Sequence, residues 1–331
     1  MQITYFFRKP YDFHFSIENV FNGIIGNLPG HVQYHSFDLP YYSKGILPRI
    51  KGTRAASKAQ GQVNHITGDV HYIALGLRKE KTILTMHDLG FMKHSNPLAR
   101  FFLWLFWIWL PVRSAQYITT ISEATKKDIL RYGRCNPGKI RIIPDFIDPG
   151  FQPVPREFNK QKPVILLIGT KFNKNLERTV EALSGIPCTL KIIGRLSEAQ
   201  VDLLHAHHLV FVNQYDLSNE ELRQAYIHSD MLVFCSTLEG FGLPILEAQA
   251  TGRPVVTSNV SSMPEVAGSA ASFADPSNVS SIRQSILKVI SNDAFRNALI
   301  EKGFANIKRF DVKKVTQMYV DLYKEVIESS K

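Results

Sequence analysis

The stretch Ser236–Gly268, STLEGFGLPILEAQATGRPVVTSNVSSMPEVAG, sets two carboxylates around a pair of glycines. Glu239 stands just before Gly240 and Gly242; Glu247 lies inside the helix that Leu243 and Pro244 begin. A helix start offers unpaired N–H groups and the positive end of a dipole, and glycine lets the backbone approach an anion closely. Helical spacing can return Glu247 to the loop side, near Glu239. Two carboxylates beside a phosphate cradle suit a ligand that carries both phosphate and hydroxyl groups. A bare E-x7-E spacing more often marks two solvated glutamates. Its embedding in EGFGLPILEA reverses those odds.

The elements around this loop have a definite order. Met231–Phe234 is an apolar run of the length of a buried parallel strand. The helix after the loop stops at Gly252 and Pro254, and Val255–Thr257 is the next strand. The same unit of strand, polar loop and helix occurs earlier, as Val164–Ile168, GTKFNKN and Leu176–Leu183. Further strands are expected at Leu190–Ile193, Leu209–Val212 and Ala271–Phe273, with capping boxes at Ser197/Gln200 and Ser218/Glu221 between them. In the first half, Ile3–Phe7, Val32–Phe37, Val63–Ile66, Thr82–Met86, Gln116–Ile121 and Ile140–Pro144 read as strands. Ser122 caps a helix that Gly133 closes. Ligands of open α/β sheets gather at the carboxyl ends of strands, which makes His65, His71, His87 and Asp88 candidates for the acceptor side of a site.

The central stretch resembles the donor-site signature of retaining GT-B glycosyltransferases of family 4. Glu239, Gly240, Phe241, Gly242, Glu247, Ala248, Gly252, Pro254, Val255, Pro264, Glu265 and Gly268 agree with that pattern in one register. The resemblance implies a nucleotide-diphosphate sugar as donor substrate and no cofactor. Glu247 would hold the ribose hydroxyls and Glu239 would face the transferred sugar. The N–H groups around Phe241, Gly242 and Leu243 would hold the diphosphate. Lys174-Asn175-Leu176 resembles the segment whose lysine contacts that diphosphate. The arginine usual near Gly169 is missing, and Lys171 is the candidate to replace it, with Arg195 a further candidate cation for the diphosphate. Tyr215 is the candidate to stack on the base. TMHDL resembles the His-Asp pair placed opposite the donor sugar, so His87 joins Glu239 as a catalytic candidate, with His65, His71 and Asp88 on the acceptor side. The glycine-rich loop common after the first strand is replaced by Arg8, Lys9 and Pro10, and Asp145-Phe146 stand where Asn-Gly is usual. The expected function is sugar transfer, with retention, to a hydroxyl acceptor, a glycan or lipid-linked glycan of surface polysaccharide assembly. The alternatives are a GT-B nucleotide-sugar epimerase or hydrolase, and a silent membrane-bound partner of a glycan assembly complex.

The chain of 331 residues is long enough for two domains, and 44% apolar residues furnish two cores. The expected fold is α/β: two doubly wound parallel-sheet domains facing a cleft. The boundaries expected are 1–155 for the acceptor side and 156–310 for the donor side, with 311–331 a helix crossing back to the first domain. Proline and charge over Pro149–Lys162 suggest the linker there. A net charge of +10 calls for an anionic partner. A phosphorylated donor and an anionic bilayer serve better than nucleic acid, for which no recognised pattern is present. Cys135, Cys188 and Cys235 are scattered, which suits a reducing compartment, and MQITYFFRKP reads as a strand and not a signal peptide. A cytoplasmic protein, peripheral on the inner membrane face, is therefore expected. No Asp-x-Asp pair stands in a suitable loop, so no metal is expected. Phe101–Leu110, FFLWLFWIWL, is apolar all round as a helix and is either core or membrane contact. Pro40–Gln60 is basic through Lys44, Arg49, Lys51, Arg54 and Lys58.

Overall fold

The computed structural model describes residues 1–10, 16–93 and 96–329, in two compact units. Of the aromatic segment Arg8–Ile17, residues 11–15 lie outside the described residues.

The first unit comprises Met1–Phe146 and the C-terminal residues from Val312. Its parallel sheet is built from β1 (Gln2–Phe7), β2 (Gln33–Asp38), β3 (Val63–Ile66), β4 (Thr82–Met86), β5 (Tyr117–Thr120) and β6 (Ile140–Ile142), in the order β2-β1-β3-β4-β5-β6. β3 and β4 are buried at every residue, as strands covered on both faces must be, whereas edge strand β2 is largely exposed. Helix Val312–Ser329 closes one face: Val315, Tyr319, Tyr323 and Val326, at helical spacing, pack against Ile3, Tyr5 and Phe21.

The second unit, Ile147–Asp311, carries β7 (Val164–Ile168), β8 (Thr189–Ile193), β9 (Val210–Gln214), β10 (Met231–Phe234), β11 (Val255–Ser258) and β12 (Ser272–Ala274). All pair in parallel, in the order β12-β11-β10-β7-β8-β9. Chain order reverses at β7, whose neighbours are β8 and β10, and the crevice above that reversal is where such sheets bind ligands.

The units divide at Phe146/Ile147 and at Asp311/Val312, earlier than residue 155. Phe146 fills the space over Gly23 in the first unit, where an added Cβ would lie 2.2 Å from its ring. The proline-rich segment after it is pinned to the second unit. Phe151 meets Tyr226 edge to face at 5.5 Å, Arg253 donates to Val154 O at 3.0 Å, and Arg156 pairs with Asp230 at 2.7 Å. Prolines there stiffen a docked strap and mark no free linker.

Local signals behave as physics requires. Both capping boxes form, and Ser122 Oγ accepts from Thr125 N at 3.1 Å. Gly133 does not supply the left-handed stop; Arg134 does, with φ 47°. Gly133 is needed for room instead, since its Cβ would lie 3.3 Å from Val112. The run Pro97–Leu103 continues with π-helical hydrogen bonding over Trp104–Trp109. It is not apolar all round to one purpose. Ile108 and Val112 are buried in the core, while Leu98, Phe101, Phe102 and Phe106 are exposed. No helix among the described residues is long and apolar enough to cross a membrane. The three cysteines are free.

Candidate donor and acceptor sites

Above the carboxyl ends of β7 and β10 the two loops of the second unit converge. The β7 loop leaves through Gly169, at φ +88°, and ends on buried Asn175 in the left-handed region at φ 59°. Asn175 Nδ2 donates to Cys235 O at 3.0 Å and Pro276 O at 2.8 Å, which fastens this loop to the start of the loop that carries Glu239. The stem of Lys174 runs directly over Gly169: an added Cβ would stand 2.8 Å from Cε and 2.9 Å from Cγ. Lys174 Nζ then reaches Glu239 Oε1 at 2.6 Å and lies 4.6 Å from the centre of the Phe234 ring. Both charged ends are largely enclosed, so the pair is held in a low-dielectric place where each charge counts.

The Glu239 backbone is fixed from the side. Its N–H donates to Ser261 Oγ at 3.2 Å, and Ser261 and Ser262 Oγ lie 2.7 and 3.0 Å from its carbonyl oxygen. Ser262 Oγ also sits 2.5 Å from Phe241 O. Gly242, at φ +125°, turns the chain into helix Leu243–Ala250. Pro244 has no N–H and Ile245 N returns to Gly242 O at 3.0 Å, so the N–H groups of Gly242 and Leu243 have no acceptor among the described residues. They form the dipole-positive mouth of the helix.

Glu247, on the inner side of that helix, accepts a 2.5 Å hydrogen bond from Tyr226 O–H. Burial raises its pKa to about 7, while the hydrogen bond from Tyr226 and the charge of Lys174 pull it down. A carboxyl so poised accepts hydroxyl hydrogens once it ionises. Tyr226 is a partner that sequence reasoning missed, as are Ser261, Ser262 and Asn173, whose Nδ2 donates to Leu238 O at 3.0 Å and to Glu239 Oε1 at 3.3 Å, for nothing in their local sequence marks them. Asn175 was visible within the Lys-Asn-Leu triplet, without its role.

The remaining donor-side candidates stand apart from this cluster. Lys171 is exposed, and its carbonyl accepts Lys174 N at 2.8 Å to close the short 3-10 turn. Arg195 follows β8 and Tyr215 follows edge strand β9. The guanidinium lies 4.8 Å over the Tyr215 ring and 2.5 Å from Asp216, all exposed. Asp216 already compensates the Arg195 charge.

In the first unit, His87 follows β4 half-buried, with Nε2 2.9 Å from Thr67 O. A carbonyl only accepts, so Nε2 carries the proton and Nδ1 presents a lone pair in the neutral ring. Asp88 is exposed and its Oδ1 caps Gly90 N at 2.7 Å, a turn-forming role. His65 cannot meet an acceptor. It is wholly buried, with Nδ1 2.7 Å from Tyr323 O–H and Nε2 2.8 Å from Thr85 Oγ1, and burial lowers its pKa to about 3. His71 is buried too, its Nδ1–H donating to Trp107 O at 2.7 Å, and burial lowers its pKa. Arg8 is engaged by Glu18 at 2.8 Å and by Asp69, which compensates its charge, while Lys9 Nζ lies 4.5 Å from the centre of the Tyr42 ring.

Residues 151–305 match the family model described as glycosyl transferases group 1, and residues 29–151 the one described as Glycosyltransferase Family 4. The O-antigen chain mannosyltransferase B of Escherichia coli is 28% identical over 277 residues, 75% of this chain and 71% of that protein. A serotype-specific mannosyltransferase, WbdA of Escherichia coli, is 28% identical over 185 residues, 51% of this chain; the match spans only 22% of that relative. The crystal structure of Anabaena HepE in complex with UDP and glucose superposes with a TM-score of 0.75 at 15% identity, covering 98% of this chain and 100% of that one. The chain belongs to the group 1, family 4 glycosyltransferases, and its two parallel-sheet units carry the GT-B fold.

Proposed function

We propose that this glycosyltransferase moves a sugar, with retention of configuration, from a nucleoside diphosphate to a hydroxyl of a glycan or lipid-linked glycan in surface polysaccharide assembly. The observation that carries the reading is the Lys174–Glu239 pair, 2.6 Å apart, at the mouth of helix Leu243–Ala250 and beside Glu247. In the proposal the diphosphate occupies the N–H groups of Phe241, Gly242 and Leu243 and draws Lys174 to its oxygens. Glu247 takes the ribose hydroxyls. Glu239, released from part of its ion pair, faces the sugar. The bond from the anomeric carbon to the diphosphate oxygen breaks and a bond to the acceptor oxygen forms on the same face. The acceptor proton passes to the departing phosphate oxygen. Positive charge builds on the ring and a carboxylate such as Glu239 stabilises it; negative charge builds on the diphosphate and Lys174 with the helix N–H groups stabilises that. No metal or cofactor enters the proposal.

The two Escherichia coli relatives described above are mannosyltransferases by name, which favours mannose as the sugar and transfer over epimerisation or hydrolysis. His87 is proposed for the acceptor side, and Tyr215 for the base. A peripheral place on the inner membrane face, through Phe101–Leu110, fits a lipid-linked acceptor. The test is a screen of UDP-, GDP-, ADP- and TDP-sugars with and without acceptor glycans. A new glycoside, lost in Glu239→Ala, supports the proposal. Nucleotide release or epimer formation that ignores the acceptor refutes it in favour of the hydrolase or epimerase.

A further inference from the structure

We propose that one face of the first unit, made jointly by helix Ile46–Lys58 and the run Pro97–Trp109, docks on an anionic lipid bilayer. The proposal deepens the membrane place proposed above and rests on it for its use, while its physical case is separate. Helix Ile46–Lys58 buries only Gly52 and Ala56, so its inward face is flat and small. Its outward N-terminal turns carry Ile46 and Leu47, 74% and 70% exposed, and Ile50. On the second element Leu98, Phe101, Phe102 and Phe106 fall on one stripe, with Phe101 and Phe102 about half exposed. A soluble surface scatters large apolar residues singly. Here seven of them lie on two neighbouring helical elements.

The two elements are one surface. The Arg49 guanidinium stacks on the Trp107 ring at 4.5 Å and donates to Ser43 O at 3.0 Å. The 3-10 turn His71–Gly76 packs on both elements and adds exposed Leu75. Tyr72 of that turn lies 5.3 Å from Trp107, ring to ring.

Charge decides the occupant. Residues 39–68 and 89–122 contain no Asp or Glu, yet hold Lys44, Arg49, Lys51, Arg54, Lys58, Lys93, Arg100 and Arg113. A second copy of this chain would set these cations against each other. A nucleic acid would leave the phenylalanines in water. A bilayer with anionic headgroups satisfies both: side chains such as Phe101 enter the acyl boundary and Lys51, Arg54 and Lys58 meet phosphates at the rim. Trp107 also ties this face to the loop after β3. Its Nε1–H donates to Asp69 O at 2.7 Å and its carbonyl accepts from His71. Docking would bring that loop, at the carboxyl end of the sheet, to the headgroup plane where a lipid-linked acceptor lies.

The experiment is co-sedimentation of the full chain with vesicles of phosphatidylcholine alone or mixed with phosphatidylglycerol, at low and high salt. The chain is expected to bind mixed vesicles and release them at high salt. Each cation near the surface contributes about fivefold, so Lys51→Gln/Arg54→Gln/Lys58→Gln should weaken binding on the order of 100-fold. Phe101→Ser/Phe102→Ser should weaken it about tenfold or more at low salt. Phe101→Trp/Phe102→Trp should bind as the parent does, which separates lost contact from lost fold. Failure of the parent to bind mixed vesicles, unchanged binding by either polar variant, or pelleting without lipid, as a second copy on this face would give, overturns the proposal. A soluble acceptor glycan keeps the two readings apart. Transfer without vesicle binding sinks the surface alone, and vesicle binding without transfer sinks the transferase reading alone.

Discussion

Replacing Glu247 by Gln probes the donor side where structure and chemistry are most tightly linked. Burial holds this carboxyl at about 7 against an ordinary 4.5. The folded, ligand-free unit therefore keeps a proton that the unfolded chain gives up between those values. Stability contributed by the neutral acid is full below pH 4.5 and is lost as the pH rises through 7. At about 1.4 kcal/mol for each tenfold change in proton affinity, the loss is about 3 kcal/mol, an upper bound because the side chain retains some contact with water. Glu247→Gln keeps the shape and the Tyr226 contact but cannot ionise. By calorimetry its second unit should be the more stable at pH 8, by up to about 6–12 °C for a unit of this size, and equal to the parent near pH 4.5. Ribose hydroxyls reverse the balance, since they favour the ionised acceptor. Nucleotide should bind the parent more tightly as the pH climbs from 6 to 8, with proton release seen as a dependence of binding heat on buffer. Hydrogen bonds to a charged group contribute about 1.5–3 kcal/mol, so Glu247→Gln should bind nucleotide about 10- to 100-fold more weakly and release no proton. Parent-like nucleotide affinity in this variant, with no proton release in the parent, would remove Glu247 from the ribose and break the reasoning.

Three other outcomes follow from the same geometry. Lys174→Ala should lower kcat/KM for sugar transfer by about 10²–10³, read as nucleoside diphosphate release, because a leaving diphosphate loses its enclosed cation. Gly169→Ala should mimic it, since the new Cβ meets the Lys174 stem at 2.8 Å and the residue sits at φ +88°; in the Lys174→Ala background it should cost stability of about 1–2 kcal/mol and little further activity. His65 predicts the opposite pH slope for the first unit. With its pKa pushed down to about 3, its stability is present above pH 6.5 and is lost as the pH falls towards 3, by up to about 5 kcal/mol. All three tryptophans lie in that unit, at 104, 107 and 109, so acid unfolding followed by their fluorescence should move to lower pH in His65→Gln.

Much of the architecture was legible because it is local. A strand covered on both faces is a short apolar run, and central strands such as β4, β7, β10 and β11 stand where such runs stand. The boxes at Ser197/Gln200 and Ser218/Glu221 close within one turn, so three residues of spacing suffice to see them. The EGFGLPILEA loop is local in the same sense: turn, helix start and both carboxylates lie within one short segment, and its register placed the chain in its family before any coordinates.

What the tertiary structure alone decided is which side of each element a polar residue meets. Three histidines of the first half looked alike at strand ends. Tyr323, 258 residues from His65 in the chain, makes that one a buried structural residue, and Trp107 occupies His71, while His87 stays half-buried against Thr67 O. Lys174 and Glu239 are 65 residues apart, and Tyr226 and Glu247 are 21 apart on different helices. The unit boundary moved to Phe146 because Gly23 leaves a hole for its ring. Backbone conformation is set by neighbours a few residues away, so the sequence by itself determined elements, fold and family. Burial, pairing and proton affinity are set by whichever distant segments pack alongside, and only the folded chain brings those segments together.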